Sequence, residues 1–121
     1  MDEKVFSRGD VLLVPFPYVT DFAKQKSRPA LVVQNDIANQ YSPNLILALI
    51  SSKVPKKVYP FHFHIRNGTD TAEKAGLDNY SIVKTEIIVT IPKSAVMKKI
   101  GFLPAEAMSQ VDECLRVSLS L

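Results

Sequence analysis

Residues Asn44 to Ser52 read Asn-Leu-Ile-Leu-Ala-Leu-Ile-Ser-Ser, the longest apolar stretch in the chain. A membrane-spanning helix needs ~18 such residues, so this run is too short to cross a bilayer as one. Its length and composition fit a strand buried on both faces, at the centre of a sheet. The rest of the chain supplies its neighbours. Asp10 to Phe16 is aliphatic and follows a turn at Gly9, with Pro15 and Pro17 ending it or confining it to an edge. Ala30 to Val33 is a short buried strand introduced by Pro29. Tyr59 to Arg66 alternates, with Phe61, Phe63 and Ile65 facing one way and His62, His64 and Arg66 the other. Ser81 to Ile91 reads as a strand bent in the middle and stopped by Pro92, and one more short strand is expected around Ile100 and Gly101.

Between these runs the sequence loses its period. Tyr18 to Ser27 is polar and reads as a long loop, Asn35 to Pro43 as a loop with one helical turn, and Asn67-Gly68 to Gly76 as another loop. After Pro104 the period changes to that of a helix, with Met108, Val111, Leu115 and Leu119 on one side and Glu106, Gln110 and Glu113 on the other. The expected fold is mainly β with a C-terminal helix: a small barrel or twisted antiparallel sheet of six or seven strands, its open face covered by the helix. With 121 residues the whole chain, 1–121, is one domain.

The single cysteine, Cys114, excludes an intramolecular disulfide and a Cys-rich zinc site, and fits a cytoplasmic protein. Acidic Asp2 and Glu3 stand where a signal peptide carries basic residues, so export is not expected. Fifteen Lys and Arg against twelve Asp and Glu leave a net charge of +3, a mild excess that does not repel a polyanion. That excess is clustered, in Lys24, Lys26 and Arg28 and again in Lys53, Lys56 and Lys57.

Walker, dinucleotide-binding and Gly-x-Ser-x-Gly signatures are absent. His62 and His64 have no neighbouring carboxylate in sequence and read as solvent-facing rather than as metal ligands, so neither a metal nor a cofactor is expected. Three polar features interrupt the apolar strands: Arg28-Pro29, Ser51-Ser52, and Lys84 with Glu86. Together they suit cleavage of RNA by its own 2′-hydroxyl without a metal. That reaction needs a base for the hydroxyl, cations for the phosphorane charge and a partner for the departing 5′-oxygen. Glu86 can serve as base, Arg28 as a bidentate phosphate clamp, Ser51 as a hydrogen-bond donor to a phosphate oxygen, and Lys84 as stabiliser of the leaving group. Each feature also has an ordinary structural reading, as a surface pair, a carboxylate partner or a strand-ending hydroxyl.

The sequence resembles the MazF/PemK family of toxin endoribonucleases from bacterial toxin–antitoxin modules. The resemblance is carried by Arg8-Gly9-Asp10-Val11, by Ser27-Arg28-Pro29-Ala30-Leu31-Val32-Val33-Gln34-Asn35-Asp36, by Ile50-Ser51-Ser52 and by Lys84-Thr85-Glu86-Ile87-Ile88-Val89-Thr90-Ile91. It implies an SH3-like barrel acting as a homodimer, metal-independent and sequence-specific cleavage of single-stranded RNA, and a cognate antitoxin that blocks the RNA groove. Within it Arg28 matches the family's catalytic arginine, Ser51 its active-site threonine, Glu86 the acidic residue proposed as base, and Lys84 an arginine. Lys24, Lys26, Ser52, Lys53 and Lys56 are the expected RNA-binding residues. Where many members carry Gln and Arg, this chain has Ile87 and Val89. Two alternatives on the same fold are a non-catalytic binder and a gyrase-poisoning, CcdB-like toxin. The latter is disfavoured because the chain ends Ser118-Leu119-Ser120-Leu121, without the aromatic tip those relatives use.

Overall fold

The computed structural model describes residues 5–18 and 21–121, with the side chains of residues 17, 18 and 21–25 left aside. Strand β1 (Asp10–Tyr18) and strand β2 (Asp21–Val32) form a long hairpin, paired from Val11 against Leu31 to Tyr18 against Asp21. Helix α1 (Asp36–Tyr41) leads to β3 (Asn44–Ser51), which is followed by β4 (His62–Ile65), α2 (Asp70–Ala75) and β5 (Ser81–Pro92). A single 3-10 turn (Lys93–Ala95), β6 (Lys98–Phe102) and α3 (Ala105–Leu119) complete the chain. The six strands form one antiparallel sheet in the order β4-β5-β3-β2-β1-β6.

Most of the expected elements are present, and the differences have local causes. The Tyr18–Ser27 loop is instead the outer arm of the β1–β2 hairpin, with Val19 and Thr20 outside the described residues. This arm pairs with β1 alone, because β3 meets β2 only at Ala30, Leu31 and Val32, so it has no need of an apolar period. Pro15 and Pro17 lie inside β1, which is an interior strand. β6 pairs with β1 only as far as Leu13, however, so both prolines sit where one flank is open and no ladder bond is lost. The loop after Gly68 contains α2, capped by the Thr69 hydroxyl accepting from the Ala72 amide at 3.2 Å. The central strand β3 is buried at Leu45, Leu47, Ala48, Ile50 and Ser51, but Ile46 is exposed.

Alternation along the strands makes two cores. On one face Val11, Leu31, Ala48, Ile50 and Val83 pack against Ala72 and Ala75 of α2 and Ala107, Met108, Val111 and Cys114 of α3. The helical stripe therefore runs through Ala107 and Cys114, while Leu119 is exposed. On the other face Leu12, Val14, Ala30, Val32, Leu45, Leu47 and Ile91 are closed off by Phe6 and Val96. Arg8 fastens the start of the sheet to the helices. Its Nε donates to the Val33 carbonyl at 2.9 Å, its guanidinium pairs with Asp112 of α3 at 2.7 Å, and its amide donates to Asp36 at 2.7 Å. That amide bond, with a second from the Asn39 side chain, holds the Asp36 carboxyl below the usual carboxylate range.

The sheet curls until its two edges meet through α2. This helix follows edge strand β4, yet it packs against β6 at the opposite edge. The contact is glycine against backbone: a Cβ on Gly101 would lie 2.3 Å from the Lys74 carbonyl oxygen, and one on Gly76 would lie 2.1 Å from that of Ile100. Gly76 also caps α2 in the left-handed region at φ 72°. The product is a six-stranded half-barrel, closed on one side by α2 and covered by α3.

Two outcomes follow from this packing. Gly101→Ala forces two backbones apart and is expected to cost about 3 kcal/mol in urea unfolding. Gly68→Ala, in open space at φ 77°, is expected to cost only the left-handed strain of about 1 kcal/mol. Burial, then the neighbouring Glu113 charge, push the Cys114 thiol above its ordinary pKa. Labelling of Cys114 by a thiol reagent at mildly alkaline pH should therefore be at least about tenfold slower in the folded protein than in denaturant.

Candidate active site

Strand β5 is too long for the partner it faces. Ala48 pairs with Ile88, yet the next residue, Leu49, pairs with Lys84, so Thr85, Glu86 and Ile87 have no partner in β3. This bulge is held by a buried side chain. The Thr85 hydroxyl donates to the Phe61 carbonyl at 2.6 Å and lies 3.2 Å from that of Cys114 in α3. The Thr85 carbonyl in turn accepts from the Ser118 hydroxyl at 2.9 Å.

The register places the expected site residues. Arg28 pairs with Val14 of the second core, which puts its side chain on that face. Ser51 pairs with Ile82, and Ile82 with His64. One row along, Leu49 pairs with Lys84, and Lys84 with His62. By alternation the side chains of Arg28, Ser51, Lys84, His62 and His64 belong to one face of the sheet, that of the second core. Because β5 spends three residues over one step of β3, Glu86 lies little further along the sheet than Lys84.

Glu86 is engaged by a histidine. The His62 ring, its side chain only 3% exposed, directs Nε2 at Glu86 Oε2 at 2.8 Å. The carboxylate accepts, so Nε2 carries the proton, while Nδ1 is buried without a hydrogen-bond partner. His64 shares a 2.8 Å hydrogen bond with the Tyr80 hydroxyl. The two histidines are thus not solvent-facing, as the sequence had implied. Both are turned inward by partners, Glu86 and Tyr80, that lie far away in the chain. Among the described residues no three His, Cys, Asp or Glu side chains gather as metal ligands would.

On the opposite face, that of the first core, a cleft is lined by Ser27, Ser52, Asp78, Asn79 and Ser81, with Leu13, Ile50 and Ile100 among its apolar residues, and Arg28 also borders it. Ser51 is buried, its hydroxyl accepting from the Lys53 amide at 3.1 Å. Lys84 is half-buried in its row, and Lys26, Lys53 and Lys56 are exposed. The Lys24 side chain lies outside the described residues. Asp78 and Asn79 escaped the sequence reading because they follow α2, whose six residues are too few to show a period.

With this geometry in hand, comparison with known proteins places the chain. Residues 7–119 match the family described as PemK-like, MazF-like toxin of type II toxin–antitoxin systems, and the chain belongs to it. The chain is 37% identical over 117 residues to endoribonuclease EndoA of Bacillus subtilis (strain 168), covering 97% of each. Its fold matches the MazE–MazF crystal structure (Form-II) from Deinococcus radiodurans, with a TM-score of 0.74 at 18% identity over 98% and 99% of the two chains. It also matches Mycobacterium tuberculosis toxin MazF-mt6, with a TM-score of 0.73 at 19% identity over 93% and 97%. The barrel expected from the sequence is thereby established, and the family match does not favour the gyrase-poisoning alternative.

The bulge has its own test. Thr85→Val keeps the shape but leaves the Phe61 carbonyl without this donor. It should lower stability by about 1–2 kcal/mol. Thr90→Val, at an exposed position of the same strand, should stay within about 0.5 kcal/mol of wild type when both are followed by chemical unfolding.

Proposed function

We propose that this chain is the toxin of a type II toxin–antitoxin system and cuts single-stranded RNA at specific sequences without a metal ion, by attack of the 2′-hydroxyl on the adjacent phosphate. An endoribonuclease toxin is the class to which its family and its 37% identical relative point. What supports the mechanism is that strand register directs Arg28, Ser51 and Lys84 to one face, with Glu86 in the β5 bulge beside Lys84.

In this reading Glu86, held from behind by His62, takes the proton of the 2′-hydroxyl. The 2′-oxygen forms a bond to phosphorus, the bond from phosphorus to the 5′-oxygen breaks, and a cyclic phosphate is left. Arg28 spans two non-bridging oxygens, which carry most charge in the phosphorane, so its worth grows in the transition state. Ser51 donates to one of those oxygens, and the Lys84 ammonium stabilises the departing 5′-oxygen. Lys24, Lys26, Ser52, Lys53 and Lys56 draw the flanking phosphates by charge, so binding weakens as salt rises.

The chain works in the cytoplasm as a single domain in a homodimer, restrained by a cognate antitoxin that covers this face. Among the described residues no helix is long and apolar enough to cross a membrane.

The test is incubation of purified protein with single-stranded RNA in excess chelator, with products mapped at their ends. Wild type should cut and leave cyclic phosphate, and Arg28→Ala should cut at least about 100-fold more slowly. Ser51→Ala should lose less, about tenfold. Absence of cleavage by wild type, or full cleavage by Arg28→Ala, counts against the reading.

A further inference from the structure

The chain entering β4 carries two aromatic rings that neither core uses. The alternation of Tyr59 to Arg66 predicts one strand with Phe61 beside Phe63. Instead β4 begins at His62, and Tyr59 to His62 form a turn closed by the His62 amide donating to the Tyr59 carbonyl at 3.1 Å. Pro60 occupies the second position of that turn, where its fixed φ stiffens it. The turn stacks the Tyr59 and Phe61 rings, with centroids 5.2 Å apart and planes 25° from parallel. Both rings meet His62 edge-on, at 5.5 Å and 4.7 Å.

Phe63 and Ile65 belong to the first core, whereas Phe61 packs into neither core and is half-buried, like Tyr59. The Lys57 ammonium stands 5.8 Å from the centre of the Tyr59 ring, and Lys57, like Lys53 and Lys56 in the same segment, is exposed. The platform is tied to the proposed base and its neighbour: His62, which both rings meet edge-on, bonds Glu86, and the Phe61 carbonyl is held by Thr85 in the bulge.

We propose that Tyr59, backed by Phe61, is a stacking position for one unpaired nucleobase of the RNA, next to the nucleotide whose 2′-hydroxyl faces Glu86. This rests on the ribonuclease reading above. A flat aromatic face beside ammonium groups fits a base and its phosphates, because stacking tolerates any base while the lysines follow the backbone. On binding, the base takes the Tyr59 face and the Lys57 ammonium moves to the adjacent phosphate. Because the turn already holds the rings parallel, little ordering is required of the protein. Stacking adds affinity here without adding sequence choice, which is left to contacts with base edges.

The chain has no tryptophan, so Tyr59→Trp introduces a single fluorescent reporter at the platform. The probe is a single-stranded RNA with 2′-O-methyl groups throughout, which cannot be cut through its 2′-oxygens, and binding is followed independently by anisotropy of an end label. Bases on the probe should quench the reporter, and an abasic strand of the same length should not. Tyr59→Leu should weaken binding about tenfold or more without changing its salt dependence, and Tyr59→Phe should restore it. Lys57→Ala should instead reduce the salt slope by about one. Unfolding midpoints of the variants separate lost stacking from lost structure. An unquenched reporter on a bound strand, or a folded Tyr59→Leu that binds like wild type, overturns the stacking position while leaving Arg28-dependent cleavage standing. Failure of wild type both to bind the probe and to cut unmodified RNA overturns this inference and the ribonuclease reading together.

Discussion

The hydroxyl of Thr85 is the contact on which the arrangement of the candidate site depends. Strand β5 has three residues more than β3 can pair, and an unpaired backbone of that length in a sheet would ordinarily be solvated or collapse into another register. Here it is held between the Phe61 and Cys114 carbonyls, with Ser118 closing over its own carbonyl oxygen. Each bond is modest by itself. The site is buried, however, so any other register would leave several polar groups without partners, and that penalty fixes the bulge. In a regular strand Glu86 would stand a full pleat beyond Lys84. In the bulge it remains near the Lys84 row and turns towards His62.

A second constraint acts at the opposite end of the molecule's logic, in the closure of the sheet. Open sheets leave two edges of unpaired amides and carbonyls. This fold brings its edges together through α2, and the closeness of that contact depends on Gly76 and Gly101. The curl also makes one face concave, which is how Arg28 and Ser52 come to line a cleft with Asp78 and Ser81 from the segment after α2. Cleft and closure therefore share a segment: residues 76–81 leave the α2 contact and enter β5.

Much of the fold was legible because the strands that carry it have clear periods. Leu45 to Ser51, Ser81 to Ile91 and the helix after Pro104 announce themselves by apolar content, and the order of short motifs led to the family. What was not legible shares one physical character. The outer arm of the β1–β2 hairpin and the six-residue α2 lack a strong apolar face of their own, so period-based reading returned loops. His62 failed for the converse reason. It was read as polar and hence outward, because the sequence does not show that Glu86 lies within 2.8 Å to accept its proton. Phe61 was assigned to a strand face because Pro60 had not been read as the stiff second position of a turn.

The sequence by itself determined the class of fold, the polar groups proposed to act on a phosphate, and the family to which the chain belongs. These are carried by residue type and local period, which need no knowledge of distant partners. Only the tertiary structure decided that Glu86 sits in a bulge beside Lys84, which histidine supports the carboxylate, and where two stacked rings lie outside both cores. Those depend on register between strands far apart in the chain. Register is set by the summed satisfaction of buried hydrogen bonds and core contacts, and no local stretch of sequence records that sum.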